Sequence, residues 1–148
     1  MSSRIGIAIV GLGAAVQPHA RSLLDLADRA DVRHAVTRSP ERAAAFARDF
    51  HFPVTTDLSH ALADPAVEAV LVLTPPSSHR DIAGRCFDAG KHVLVEKPLE
   101  LTSARGADLV AAARAAGRKL GVMLQHRFRP GSIRLKAALE GGELGRIE

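Results

Sequence analysis

Unbroken apolar runs recur along the chain, and each is followed by a stretch whose apolar residues return at three- and four-residue intervals. Ile5–Val10 reads as a buried strand, and Pro18–Arg29 as a helix with Ala20, Leu23, Leu24 and Ala27 on one face. Val32–Val36 predicts a second strand. The helix behind it opens with Ser39 as N-cap and Pro40 at its first position, where a missing N–H costs nothing. Ala43, Phe46, Ala47 and Phe50 form its buried stripe. Val54–Thr56 reads as a short edge-like strand, followed by a brief helix capped by Asp57. Ala69–Thr74 is a continuous apolar strand stopped by Pro75-Pro76, which cannot extend a ladder. A helix from Ser78 to Ala89 ends at Gly90, a natural C-terminal cap. His92–Glu96 is the next strand, and Thr102 or Ser103 opens a helix bearing Leu109, Ala112, Ala113 and Ala116 on one face. Leu120–Leu124 completes the strands, and Ser132–Glu140 is the last helix.

Strands that are apolar throughout and alternate with helices imply a parallel sheet covered on both faces. Right-handed crossovers then give an α/β fold with a doubly wound parallel sheet and ligands at the carboxyl ends of the strands. No repeat of solenoid length and no low-complexity segment disturbs this pattern.

Composition narrows the function. At 148 residues the chain is one domain, long enough to bury ~68–70% of its unfolded surface. A net charge of +4 favours anionic ligands such as nucleotides, but the basic residues are scattered. Aromatic residues make up 3%, with no Trp or Tyr, which leaves little to stack on bases and argues against nucleic-acid binding. Cys86 is the single cysteine, so no internal disulfide forms and a cytoplasmic home is the default. It reads as a small buried core residue. Arg4 followed by Ile5–Val16 has the outline of a signal peptide, but Gly6, Gly11 and Gly13 break it and no cleavage site follows cleanly. No run is long enough to span a bilayer, so no membrane role is expected.

Gly11-Leu12-Gly13 lies between the first strand and the first helix, the setting a dinucleotide fingerprint requires. Gly11 permits the tight turn, and Gly13 removes a side chain that would block a diphosphate. The backbone of Gly11, Leu12, Gly13 and Ala14 is the candidate phosphate cradle, with free N–H groups at the helix start. The third glycine position is Val16, a departure that implies either a wider helix–strand spacing or a later helix start, which Pro18 would suit. A glycine turn of some other α/β domain is the alternative.

An acid after the second strand holds the ribose 2′-hydroxyl in NAD-binding proteins, yet this strand ends Thr37-Arg38-Ser39. Those three side chains can donate to a 2′-phosphate, and the guanidinium can lie over adenine. This predicts NADP(H) in preference to NAD(H). A solvated arginine beside an N-cap serine is the competing reading.

Glu96-Lys97-Pro98 follows the fifth strand. A lysine at a strand end, downstream of a phosphate cradle, suggests hydride transfer with a nicotinamide cofactor. With these marks the chain resembles the Gfo/Idh/MocA family of oxidoreductases from Ile5 to Ile147. The likeness rests on Gly11-Leu12-Gly13, Thr74-Pro75-Pro76-Ser77-Ser78-His79, Glu96-Lys97-Pro98 and Gln125-His126-Arg127-Phe128. The resemblance implies a Rossmann domain paired with a C-terminal α/β substrate domain. It also implies oxidation or reduction of a hydroxyl or carbonyl on a sugar, inositol or related compound.

By the same resemblance, Lys97 is catalytic, sitting by the nicotinamide and hydrogen-bonding the reacting oxygen, while Glu96 orients the lysine or a ribose hydroxyl. Thr74 and Pro75 line the nicotinamide ribose, and Pro76 replaces the family's asparagine. His79 lies near the cofactor's phosphates or ribose, or else makes a local hydrogen bond. Gln125 belongs to a stretch that returns to the rim, and a cis Lys97–Pro98 bond is expected. No metal site is predicted, since His19, His34, His51, His60 and His92 lack ligand spacing; they are assigned no chemistry.

Residues 1–124 are then the dinucleotide-binding domain, and 125–148 the connecting helix and start of a substrate domain absent from this chain. The sequence is expected to bind cofactor without turning over, as part of a homo-oligomeric enzyme. A non-catalytic NAD(P)-sensing protein of the same fold is the leading rival. A transferase using another adenine ligand leaves Glu96-Lys97-Pro98 unexplained.

Overall fold

The computed structural model describes residues 4–147. Its strands are β1 (Ile5–Val10), β2 (Ala30–Val36), β3 (Val54–Thr55), β4 (Ala69–Val72), β5 (His92–Glu96) and β6 (Leu120–Met123). Between and after them lie α1 (Val16–Asp25), α2 (Pro40–Phe50), α3 (Leu58–Ala63), α4 (His79–Asp88), α5 (Ser103–Ala115) and α6 (Pro130–Glu140). The strands form one six-stranded sheet in the order β3-β2-β1-β4-β5-β6, and every pairing is parallel. The order reverses between β1 and β4, which opens a crevice at their carboxyl ends.

Two apolar layers hold the sheet. On one face Ala8, Val10, Val70, Val72, Val93 and Val95 pack against α3, α4 and α5 through Leu62, Phe87 and Leu109. On the other, Ile9, Ala35 and Leu71 meet Val16 and Ala20 of α1 and Phe46 and Phe50 of α2. Cys86 is wholly buried in the first layer, and burial pushes its thiol up to about 12, so it packs as a small hydrophobe.

Three expectations need correction. The first helix begins at Val16, not near Pro18, and stops at Asp25 rather than Arg29. Val16 points into the core at 3% exposure, so it anchors the first turn; Pro18 lies in that turn, where no intrahelical N–H bond is lost. Asp25 and Asp28 at the far end oppose the helix dipole and favour termination. Leu24, expected in the stripe, is 48% exposed. The sheet is also not covered throughout its second face. Leu94 of β5 is 37% exposed, and among the described residues α6 buries no side chain. The apolar run Val93-Leu94-Val95 conceals an in–out–in alternation. Among the described residues no helix is long and apolar enough to cross a membrane.

Candidate functional site

Because all strands run the same way, the segments following β1, β2, β4, β5 and β6 share one edge. Gly11, just beyond β1, has φ +102°, and its N–H donates to the Val36 carbonyl oxygen at 2.9 Å. A Cβ there would lie 2.9 Å from the Leu73 carbonyl carbon, the Thr74 nitrogen and Thr74 Cγ2. Gly11 is therefore demanded by the fold itself, on both conformational and contact grounds. Gly13 is different. No atom lies within 4 Å of the position its Cβ would take.

Next to that open space α1 begins with Ala15 as N-cap, with no side-chain cap bond and no acid in its first turn. Its leading N–H groups are thus left for an external acceptor, apart from Val16 N–H, 3.2 Å from the Gly13 carbonyl oxygen. A vacant flank at Gly13 beside an uncapped helix start fits a dinucleotide's diphosphate. Ala14 is exposed there, whereas Leu12 is turned into the core, so only its backbone faces a ligand.

At the end of β2, Thr37 is buried, Arg38 exposed and Ser39 half-buried. Ser39 Oγ accepts from Arg42 N–H at 3.3 Å and donates to Glu41 Oε2 at 2.6 Å. That hydroxyl, with the Glu41 backbone N–H, holds the Glu41 carboxyl below its usual range. An acid therefore does stand beside Ser39, on the first turn of α2 rather than at the strand end.

Beyond β4, Ser78 Oγ lies 2.8 Å from both Thr74 Oγ1 and the Pro75 carbonyl oxygen. His79 is fully buried, with Nε2 2.9 Å from the Thr74 carbonyl oxygen and Nδ1 3.2 Å from that of Leu99. It braces the segments after β4 and β5 against each other. These are the local hydrogen bonds that formed one of the two readings of His79 from sequence.

Beyond β5, Lys97 is exposed and the Lys97–Pro98 bond is cis. Glu96 is nearly buried, with Oε1 2.9 Å from His19 Nε2 on α1 and Oε2 accepting from the Lys97 N–H at 2.8 Å. Its carboxylate thus orients the Lys97 backbone and is tied to α1. β5 lies two strands from β1, a separation of roughly 10 Å at ordinary strand spacing.

Glu100 anchors the same segment from behind. Its carboxylate accepts from Arg80 N–H at 3.0 Å, Leu101 N–H at 2.9 Å and the Arg105 guanidinium at 2.9 and 3.1 Å. The Arg105 bonds, helped by the two backbone N–H groups, hold this carboxyl down to about 2. A carboxyl lowered in the folded state stabilises above its unfolded value, and that stability is lost as pH falls through the folded one. Glu100→Gln is expected to cost about 1.5–3 kcal/mol at neutral pH. It should also flatten the decline in stability between roughly pH 4.5 and 2, as measured by urea unfolding at stepped pH.

Gln125 is exposed just past β6, on the same edge. Two grooves lie elsewhere. One of about 410 Å³ runs past Leu23, His34 and Asp64 at the amino ends of the strands, and one of about 550 Å³ lies between Leu99–Ser103 and α5. Neither includes the glycine turn or Lys97, which stand on the shelf formed by the carboxyl ends of the strands. Among the described residues no three His, Cys, Asp or Glu side chains gather as a metal site.

Residues 5–124 match the family described as "Oxidoreductase family, NAD-binding Rossmann fold", Gfo/Idh/MocA. The chain belongs to this family. An inositol 2-dehydrogenase of Acidothermus cellulolyticus is 36% identical over 146 residues, 97% of this chain and 42% of that protein. The scyllo-inositol 2-dehydrogenase (NADP(+)) IolW of Bacillus subtilis is 32% identical over 141 residues, 95% of this chain and 38% of that protein. The crystal structure of the WlbA dehydrogenase from Bordetella pertussis in complex with NADH and UDP-GlcNAcA gives a TM-score of 0.91 at 30% identity, covering 97% of this chain and 42% of that one. The chain spans about two fifths of the length of these relatives.

In this Gfo/Idh/MocA chain Gly11, Gly13, Thr74 and Pro75 gather at the crevice between β1 and β4. Glu96 and Lys97 stand one strand further on, with Gln125 at the sheet edge. Sequence reading missed three supports, His19, Glu41 and Glu100. His19 and Glu96 are 77 residues apart, and no local pattern announces such a pair.

Proposed function

We propose that this chain is the cofactor-binding part of an NAD(P)-dependent oxidoreductase acting on a hydroxyl or carbonyl of a sugar, inositol or related compound. The observation that carries the reading is the vacant flank of Gly13, beside an uncapped helix start at the reversal of strand order. Within this reading residues 1–124 hold the dinucleotide, and 125–148 lead into a substrate domain. Relatives named as inositol dehydrogenases support the substrate class.

A bound nicotinamide supplies or accepts hydride. The protein's own groups do the rest. N–H groups at the start of α1 hold the diphosphate, with the backbone of Gly11, Leu12, Gly13 and Ala14 beneath it. Thr74 and Pro75 line the ribose next to the nicotinamide. The Lys97 ammonium hydrogen-bonds the substrate oxygen and stabilises negative charge that develops on it.

The absence of an acid at the end of β2, with Arg38 exposed there, supports NADP(H) as the preferred cofactor. Glu41 works against that preference, because its carboxylate occupies the Ser39 hydroxyl and repels a 2′-phosphate. Calorimetric titration should show NADPH binding more tightly than NADH. Glu41→Gln should tighten NADPH by about three- to tenfold and leave NADH nearly unchanged, as expected for removing a like charge near a phosphate. Tighter binding of NADH by the unaltered protein overturns the preference, and binding of neither overturns the function.

A further inference from the structure

The His19–Glu96 pair joins two parts of the site that sequence reading treated separately. His19 stands one turn into α1, the helix that opens on the glycine turn, and its Nε2 lies 2.9 Å from Glu96 Oε1. The two side chains are 13% and 14% exposed, so the bond is largely shielded from water. A carboxylate only accepts, so the ring donates through Nε2–H. The other oxygen of Glu96 receives the Lys97 N–H at 2.8 Å. An unbroken chain of bonds therefore runs from α1 through His19 and Glu96 to the backbone of Lys97.

We propose that His19 is a positioning residue for Lys97: by fixing Glu96 it sets the lysine at a defined place relative to the helix that carries the diphosphate. This rests on the cofactor reading above. Without His19, Oε1 of Glu96 loses its partner in a poorly solvated place. The next residue along the segment carries a mobile cation, the Lys97 ammonium itself. The carboxylate would swing toward it and draw it away from the substrate oxygen, while the N–H groups of α1 stay where they are.

The test uses the complete protein with NADP+ and its polyol substrate, or with NADPH and the corresponding carbonyl compound, and compares His19→Ala, His19→Gln and Glu96→Gln. His19→Ala should lower kcat by about ten- to a hundredfold, with dinucleotide affinity kept within about threefold. His19→Gln, whose amide still donates to Glu96, should recover kcat to within about threefold of the unaltered protein. A second readout needs no turnover. Nitrogen-15 spectra should show His19 in its Nε2–H form, and the Lys97 amide proton should move upfield in His19→Ala and stay in place in His19→Gln. Glu96→Gln keeps one acceptor oxygen where the carboxylate had two, so at least one of the two signatures should be lost, which covers the case in which His19→Ala folds poorly.

Unchanged kcat and an unmoved Lys97 amide in His19→Ala overturn the proposal. So does a His19→Gln variant as impaired as His19→Ala, or a loss confined to dinucleotide affinity. If the unaltered protein binds no nicotinamide dinucleotide, the cofactor reading falls and takes this one with it. Normal binding with an inert His19→Ala substitution sinks this inference alone.

Discussion

Alanine at Gly11 is expected to break the fold, while alanine at Gly13 should break only ligand binding. At Gly11 a side chain meets a left-handed backbone and three atoms of the Leu73–Thr74 segment at 2.9 Å, two of them backbone atoms that cannot step aside. Conformational strain and overpacking together should cost about 3 kcal/mol or more, a large share of the stability of a domain this size. At Gly13 the same methyl group enters empty space, so urea unfolding should change by no more than about 0.5 kcal/mol. Yet the methyl would occupy the place proposed for a diphosphate. Dinucleotide affinity should then fall by about tenfold or more, since close backbone approach to the phosphates is what a glycine there permits. A Gly13→Ala protein that binds NADPH as well as the unaltered one would show that the turn serves the fold alone.

The second large effect is at Lys97. In the complete protein, Lys97→Ala should lower kcat by about 10²–10⁴-fold, the usual contribution of a positioned proton-handling group. The side chain is exposed, and the backbone N–H that holds Glu96 survives the substitution, so dinucleotide affinity and unfolding midpoint should hardly move. Steady-state kinetics beside calorimetric titration separates the two quantities. A regulatory protein of the same fold would keep its nucleotide response and have no turnover to lose. Lys97→Arg should rescue poorly, because a planar guanidinium neither sits where the ammonium does nor gives up a proton.

Much of this fold was legible because most of its strands carry apolar runs and end near marks with a clear physical meaning. β4 ends at Val72, two residues short of the expected Thr74 and shortly before Pro75-Pro76, and Ser39-Pro40 starts α2 with the serine accepting from Arg42 as a cap should. Other features resisted for reasons that can be named. Val16 looked like an obstacle at the third position of the glycine motif, but its side chain turns inward and seats the helix. The thin cover of the second face at β5 was hidden because Leu94 is as apolar as its buried neighbours. At the site, the residues on strand ends were visible through their order along the chain. Their supports were not, since His79 reaches 20 residues to Leu99 and His19 farther still to Glu96. Glu41 escaped for a simpler reason: it lies on the first turn of α2, beyond the strand end where a ribose-binding acid ordinarily stands.

The uneven cover of the sheet has a bearing on motion. Ala8 and Ile9 in β1 are sealed on both sides, whereas all four residues of β6 are only partly shielded. Local opening should thus begin at the β6 margin and reach β1 last, as it does wherever apolar cover thins. The phosphate end of the shelf then stands on the part of the protein that loosens least. Lys97 stands at the transition, where stiffness gives way toward the margin that carries Gln125.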